Sequence, residues 1–258
     1  MSETDPQFQL KIAQSAAERE AAQRLRYTIF VEELGGRAPE SEQRLRLERD
    51  EYDAVSDHLL LMDANRPKGD RVVGTYRLLA QDRLKNGQEF YSAGEFDLDP
   101  LRATGLRLLE LGRSCVHPAY RGGTAMHELW LGLAAYARAQ RTQLMFGVAS
   151  FHGTDVAALS GPLSYLHHNH LAPADLRVRA KGQARQRMDI LAARDLDRRD
   201  TVLRVPALIK GYLRLGGVVG DGAWVDHAFN TTDVCMILDV ARMPNKAQAR
   251  YSAAPLEL

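Results

Sequence analysis

Residues 106–168 constrain the fold more than any other part of the chain, because strand-like and helix-like patterns alternate along them. Residues 106–116 and 143–151 are apolar runs of strand length, whereas residues 123–139 and 154–168 show helical periodicity. The predicted order is therefore β-α-β-α. Strands that are joined through a helix usually lie parallel, so part of the sheet is expected to be parallel.

The N-terminal part of the chain follows a different pattern. Ser15 and Glu18 have the spacing of a helix-capping box, and a first helix over residues 15–34 would end at the two glycines that follow. Residues 58–63 and 71–79 are β-rich runs on either side of a turn that contains proline and glycine, which predicts a hairpin.

The C-terminal part completes the predicted fold class. Residues 203–215 are expected to be helical, and residues 233–240 to form a closing strand. Antiparallel strands followed by a β-α-β unit favour an α/β (α+β) fold with a mixed central sheet flanked by helices. No change in composition divides the chain, so one domain over residues 1–258 is expected, with a core at about 15–240 and a flexible tail at 241–258.

Composition excludes several classes of protein. The formal net charge is +1 and aromatic residues make up 7% of the chain, which does not favour a nucleic-acid partner. The two cysteines lie in apolar runs, which indicates that both are buried and reduced. This pattern is typical of proteins from a reducing compartment. The acidic N-terminus does not resemble a signal peptide, and no run reaches the roughly 18–20 apolar residues of a membrane span. A cytoplasmic location is expected.

A turn between a predicted strand and a predicted helix is suited to bind an anion. It contains Arg121, Gly122, Gly123 and Thr124. Free N–H groups at a helix N-terminus attract phosphate, and glycines let the backbone approach closely. The pattern lacks the Gly-Lys-Ser/Thr of a nucleotide-hydrolase loop and the three-glycine dinucleotide fingerprint. The alternative is an ordinary turn in which Thr124 caps the helix.

With this turn, the chain resembles the acetyltransferase-like (GNAT) superfamily, in which the equivalent turn binds the phosphate of coenzyme A or of a phosphopantetheine arm. Seven further residues resemble, in order and spacing, the pattern of the acyl-homoserine-lactone synthases. They are Arg26, Phe30, Asp50, Asp53, Arg77, Glu110 and Arg113.

Later motifs are similar to those of the ornithine-lipid synthases, the bacterial ornithine N-acyltransferases. These motifs are residues 167–173, 206–216 and 226–233, and the resemblance extends from about Leu25 to Val240. It implies an enzyme that transfers a 3-hydroxyacyl chain from acyl carrier protein to the α-amine of L-ornithine, giving lyso-ornithine lipid. It also implies no separate cofactor, because the acyl group arrives on the phosphopantetheine arm of the carrier protein.

Other interpretations remain open at this stage. The chain could be a signal synthase of the acyl-homoserine-lactone type, or it could acylate glycine, lysine or glutamine. It could also be a module that binds acyl carrier protein without catalysis. Because the expected product is amphiphilic, peripheral contact with the inner face of the cytoplasmic membrane is expected. A basic run at residues 177–187 is either part of that contact or a solvated surface.

The resemblance also suggests roles for individual residues. Glu110 is predicted to accept the proton of the acceptor amine, oriented by Arg113. The alternative for these two residues is a structural ion pair. The predicted substrate-binding residues are Arg26, Phe30, Asp50, Asp53 and Arg77. The two aspartates could hold the cationic amino acid or order the first helix against Arg26. Cys115 is not favoured as a nucleophile, because direct attack of the amine needs no covalent intermediate.

Three histidines and one lysine need separate interpretations. His167, His168 and His170 point around a helix and have no second ligand cluster, so no metal site is predicted. His170 and Asp175 also have the spacing of the catalytic pair of glycerolipid acyltransferases, a different fold. Lys210 is predicted either to contact substrate or to pair with Asp226 and Asp233.

Overall fold

The computed structural model describes residues 5–253, whose contacts form two compact units. The first unit comprises the chain up to Arg83, Leu111–Arg141, and the chain from Ala249 onward. The second comprises Leu84–Glu110 and Thr142–Gln248. The prediction of a single domain stays a prediction, because the division does not establish whether either unit folds alone.

The elements alternate largely in the predicted order. The strands are β1 (Phe8–Ile12), β2 (Asp57–Asp63), β3 (Val72–Ala80), β4 (Phe96–Asp97), β5 (Leu108–Val116), β6 (Leu144–His152), β7 (Arg179–Ala180), β8 (Arg185–Gln186), β9 (Val218–Val219), β10 (Ala223–Asp226) and β11 (Thr231–Asp239). The α-helices are α1 (Ala16–Arg26), α2 (Glu40–Leu45), α3 (Asp99–Ala103), α4 (Ala125–Ala139), α5 (Ser160–His170), α6 (Arg198–Arg204), α7 (Ala207–Arg214) and α8 (Asn245–Ala253).

In the first unit, β1, β2, β3 and the later part of β5 are neighbours in that order. Strands β1 and β2 pair antiparallel, as do β2 and β3, which confirms the predicted hairpin. Helix α4 packs against this sheet closely at Gly132, where an added Cβ would lie 3.0 Å from Leu10 and 3.1 Å from Leu59. Close packing fixes the position of the N-terminus of α4, where the predicted anion site lies.

In the second unit, the strand order is β5, β6, β11, β10 and β8, and β9 pairs with β11. Strand β5 pairs parallel with β6 over Leu108–Glu110, whereas β6 and β11 pair antiparallel along their full length. Parallel and antiparallel pairs in one sheet, with helices between strands, confirm the predicted mixed α/β class. Strands β4 and β7 form a separate antiparallel pair.

Two local predictions were wrong in detail. The first helix keeps its capping box at Ser15, but it continues beyond Arg26 as a π-helix over Tyr27–Glu33. The predicted helix at 203–215 is two helices, because Pro206 forces Val205 into an extended conformation. Helix α8 lies within residues 241–258, and the prediction that this tail is flexible stays a prediction.

Strand β1 was not predicted at all.

None of the helices within residues 5–253 is both long enough and apolar enough to cross a membrane.

Candidate active site

Five of the ten predicted site residues of the first unit meet in one ion network. Its arginines come from α1, β3 and β5, and its carboxylates from the segment that follows α2. The members are Arg26, Arg77, Arg113, Glu48, Asp50 and Asp53. Five of the six were predicted from the sequence, and Glu48 was missed.

The interior of the network is centred on Arg26. Its Nε donates to Glu48 Oε2 at 2.5 Å, and its Nη1 and Nη2 donate to the two carboxylate oxygens of Asp53 at 2.6 and 3.0 Å. The side chain of Arg26 is fully buried. A buried guanidinium with paired carboxylates ties α1 to the segment that contains Glu48 and Asp53.

The outer part of the network includes Asp50 and Arg113. Asp50 accepts a hydrogen bond from Arg77 Nη1 at 2.5 Å and one from Arg113 Nη2 at 3.0 Å, and Arg113 Nε also donates to Glu48 at 3.0 Å. The side chains of Asp50 and Arg113 are 24% and 12% exposed, whereas that of Arg26 is 1% exposed. Within this unit, Asp50 and Arg113 are therefore the members that a substrate could reach.

The charges of the network offset one another. Burial opposes ionisation of Glu48, Asp50 and Asp53, but the neighbouring arginines outweigh it and hold the pKa of each carboxyl below its ordinary value. His58 lies 3.6 Å from Asp53, and burial lowers its pKa. Three arginines thus face three carboxylates and a histidine that is neutral at physiological pH.

These pKa shifts predict loss of stability in acid. A carboxyl whose pKa is lower in the folded protein contributes stability above its unfolded pKa, about 3.9 for Asp and 4.3 for Glu. That contribution is lost as the pH falls through the folded pKa. We expect the free energy of unfolding in urea to fall between pH 6 and pH 3, and to fall less in Asp53→Asn. An equal fall in both proteins would contradict a role for this network.

Glu110 lies in the second unit, at the end of the part of β5 that pairs with β6. Its side chain is buried, and its two oxygens accept hydrogen bonds from the backbone N–H groups of Tyr91 and Ser92, at 2.9 and 2.6 Å. Two N–H donors suit a carboxylate anion and hold it in one orientation. The predicted orienting partner, Arg113, bonds to Glu48 and Asp50, and its orientation of Glu110 stays a prediction.

The predicted anion-binding turn has the expected backbone. Gly122 has φ +80°, which favours glycine, and Thr124 directly precedes α4. Within the described part of the chain, the Thr124 side chain accepts no capping hydrogen bond, so the alternative of a threonine-capped turn is wrong. The N–H groups of the first turn of this 15-residue helix point toward the site where an anion would bind.

Arg121 within this turn and Phe30 on the π-helix already have contacts. Arg121 Nε donates to Val116 O at 3.0 Å, and its guanidinium pairs with Glu33 on the π-helix. Phe30 packs on the apolar cluster of Leu25, Ile29 and Cys115.

The remaining candidates are engaged structurally. Burial raises the pKa of the Cys115 thiol to about 12, so it is protonated at neutral pH and is a poor nucleophile. His170 Nε2 lies 3.3 Å from Tyr165 OH, and Asp175 pairs with Arg242. Lys210 contacts the carbonyl groups of Val202 and Leu203 at 3.4 Å, not the predicted aspartates.

The basic run at residues 177–187 is also partly paired. Arg179 lies 3.6 Å from Asp221, and Arg187 pairs with Asp189. These contacts favour the solvated-surface interpretation of the run.

Comparisons with known proteins define the family. Residues 25–131 match the model of the acetyltransferase (GNAT) domain. The L-ornithine N(alpha)-acyltransferase of Rhodobacter capsulatus is 55% identical over 247 residues, which cover 95% of each chain. This chain belongs to the L-ornithine N(alpha)-acyltransferase family.

A second relative and a solved structure agree with this assignment. The L-ornithine N(alpha)-acyltransferase of Brucella abortus is 42% identical over 95% of this chain and 89% of its own length. An N-acyl amino acid synthase from uncultured soil microbes, FeeM, superposes with a TM-score of 0.54 at 13% identity, over 97% of this chain and 96% of its own. At that identity the structural similarity establishes the fold alone, which rules out the glycerolipid acyltransferase interpretation.

Proposed function

We propose that the protein transfers a 3-hydroxyacyl chain from acyl carrier protein to the α-amine of L-ornithine, which gives lyso-ornithine lipid and begins ornithine-lipid synthesis. The observation that carries the proposal is the 55% identity to the Rhodobacter capsulatus L-ornithine N(alpha)-acyltransferase over 95% of both chains. The matched region leaves only 5% of each chain outside it.

The donor binds, in this proposal, at the N-terminus of α4. The first-turn N–H groups and the positive end of the helix dipole attract the phosphate of the phosphopantetheine arm. Gly122 and Gly123 leave the backbone accessible to that phosphate. Arg121 is held beside the turn by Glu33 and Val116, so its charge is oriented before the donor arrives.

The reaction at the acceptor requires a neutral amine. The α-amine of a free amino acid is mostly ammonium at neutral pH, and Glu110 accepts its proton directly or through a water molecule. The amine nitrogen then bonds to the thioester carbonyl carbon, the carbon–sulfur bond breaks, and the thiol of the arm leaves with a proton. No acylated cysteine is needed, in accord with the protonated state of Cys115.

Product identification tests the proposal. The purified protein is incubated with 3-hydroxyacyl-carrier protein and, in separate reactions, with ornithine, lysine, glycine, glutamine or S-adenosylmethionine, and products are identified by mass spectrometry. We expect an amide on the α-nitrogen of ornithine. A homoserine lactone would instead make the protein a signal synthase, and acylation of another amino acid would change the acceptor.

Parallel reactions with 3-hydroxyacyl coenzyme A test the donor. Faster turnover with the carrier protein supports it as the donor. Equal or faster turnover with coenzyme A would overturn that part of the proposal. Absence of any product, together with binding of the carrier protein, would favour a non-catalytic module.

A further inference from the structure

Three buried carboxylates of the second unit form a cluster that the mechanism above does not use. They are those of Glu95, Asp226 and Asp233, which are 5%, 7% and 3% exposed. One carboxylate oxygen from each residue lies within 4.8 Å of the corresponding oxygens of the other two. Like charges this close repel strongly in a buried environment, so a bound cation would stabilise the cluster.

Strand pairing places these aspartates on one face of the sheet. Asp226 on β10 is directly opposite Thr231 on β11, and Asp233 lies two residues further along β11. Residues directly opposite in an antiparallel pair share a face, as do alternate residues of one strand. Asp226 is fixed in place because its Oδ1 accepts hydrogen bonds from the N–H groups of Ala228 and Phe229, at 2.7 and 3.0 Å.

The hydroxyl of Thr231 gives an independent indication of a ligand. Thr231 is 7% exposed, and among the residues that the structure describes none offers its Oγ1 a hydrogen-bond partner. Leaving a buried hydroxyl without a partner costs free energy, so such groups usually meet a ligand or a water molecule. Its place opposite Asp226 directs it to the face that bears the aspartates.

One short turn connects the cluster to the proposed base. The N–H groups of Tyr91 and Ser92 hold the carboxylate of Glu110, and Glu95 N donates to Ser92 O at 3.1 Å. Burial raises the pKa of the Cys235 thiol, and the charges of Glu110 and Glu95 raise it further. The segment that holds the proposed base in place therefore also contains one carboxylate of the acid cluster.

We infer that Glu95, Asp226 and Asp233 bind the side-chain ammonium of the amino-acid acceptor and so select ornithine over neutral amino acids. This inference rests on the proposed function. An ammonium group has three N–H donors, which matches three carboxylates. With N···O distances of about 2.8 Å around a tetrahedral nitrogen, the oxygens lie about 4.6 Å apart, which agrees with the observed cluster.

The test compares ornithine with norvaline, which has the same carbon chain but no side-chain amine. In Asp233→Asn we expect kcat/KM for ornithine to fall roughly 10- to 100-fold, the range for loss of a charge-assisted hydrogen bond in a buried site. We expect the value for norvaline to stay within about 2-fold, since norvaline makes no such bond. Asp200→Asn, an exposed aspartate of the same unit, is the matched control and leaves both values unchanged.

Thermal unfolding adds a readout that does not need turnover. Ornithine should raise the Tm of the wild-type protein and of Asp200→Asn, but not that of Asp233→Asn. If Asp233→Asn does not fold, Glu95→Gln and Thr231→Val take its place. Thr231→Val should lower kcat/KM for ornithine several-fold, since it removes one neutral hydrogen bond.

The outcomes separate this inference from the proposed function. If kcat/KM of Asp233→Asn falls equally with ornithine and norvaline, or falls with neither, the inference is overturned. The proposed acylation of ornithine is not affected by that result. A Tm raised by Mg²⁺ without ornithine, with activity abolished by a chelator, would make the cluster a metal site and also overturn it. If no acyl-ornithine forms, but ornithine still raises the Tm of the wild type and not that of Asp233→Asn, the ornithine-binding site is supported and the proposed reaction is wrong.

Discussion

Replacing Glu110 with glutamine is expected to lower kcat for ornithine acylation by about 10²- to 10⁴-fold, the range in which general bases contribute to catalysis. Glutamine has nearly the volume of glutamate but cannot take the proton of the acceptor ammonium. The buried position of Glu110 and its bonds to the N–H groups of Tyr91 and Ser92 leave its orientation well defined. The measurement is steady-state turnover of 3-hydroxyacyl-carrier protein with ornithine.

The pH dependence distinguishes a base from a structural residue. As the pH rises toward the pKa of the acceptor amine, more ornithine arrives already neutral, so the loss in Glu110→Gln should shrink. A loss caused by distortion would persist at all pH values, since one of the two N–H groups would then face an amide NH₂. The control is Glu89→Gln, because Glu89 is exposed and lies on the segment that contains Tyr91 and Ser92. This variant should keep wild-type activity. Wild-type kcat in folded Glu110→Gln would contradict the assignment.

The sequence predicted the elements whose patterns are local. The hairpin of β2 and β3, the strands β5 and β6 and the helix α4 are recognisable from periodicity and from turns with glycine and proline. The turn predicted to bind an anion is recognisable as a turn for the same reason, because its glycines and the helix that follows are adjacent in the chain. The π-helix was not, since Tyr27–Glu33 has ordinary helix-forming residues and only packing decides its hydrogen bonds.

Five members of the ion network were predicted as residues, and the contact of Asp53 with Arg26 was one of two predicted alternatives. The contacts of Arg113 were not predicted. Arg113 has a φ of +50°, which breaks the regular alternation of side chains along the strand, and it bonds to Glu48 and Asp50. No sequence pattern marks Glu48, because its partners lie 22 and 65 residues away.

The acid cluster of the second unit illustrates the same limit. Glu95 is more than 100 residues from Asp226 and Asp233, and it follows a short turn rather than a periodic element. Only the register of β10 against β11 places Asp226 opposite Thr231 on the face that also bears Asp233. Long-range strand register depends on the whole sheet, so these residues could not be assembled from their spacing.

Replacing Arg26 with methionine is expected to destabilise the protein by about 3–5 kcal/mol, the usual cost of removing one partner of a buried ion pair. Methionine fills most of the volume but leaves Glu48 and Asp53 without their shared guanidinium. Both carboxylates are buried, so water cannot replace the lost donors. The measurement is the free energy of unfolding in urea at pH 7.

The matched control lies two residues earlier on the same helix. Arg24 is exposed and pairs with Glu20 one turn away, so Arg24→Met should change stability by less than about 0.5 kcal/mol. Neutralising the buried carboxylates as well, in the triple variant Arg26→Met, Glu48→Gln and Asp53→Asn, should restore part of the loss, since it removes the uncompensated charges. A loss below about 1 kcal/mol in Arg26→Met would mean that the network adds little to folding, since breaking a buried pair normally costs several times more.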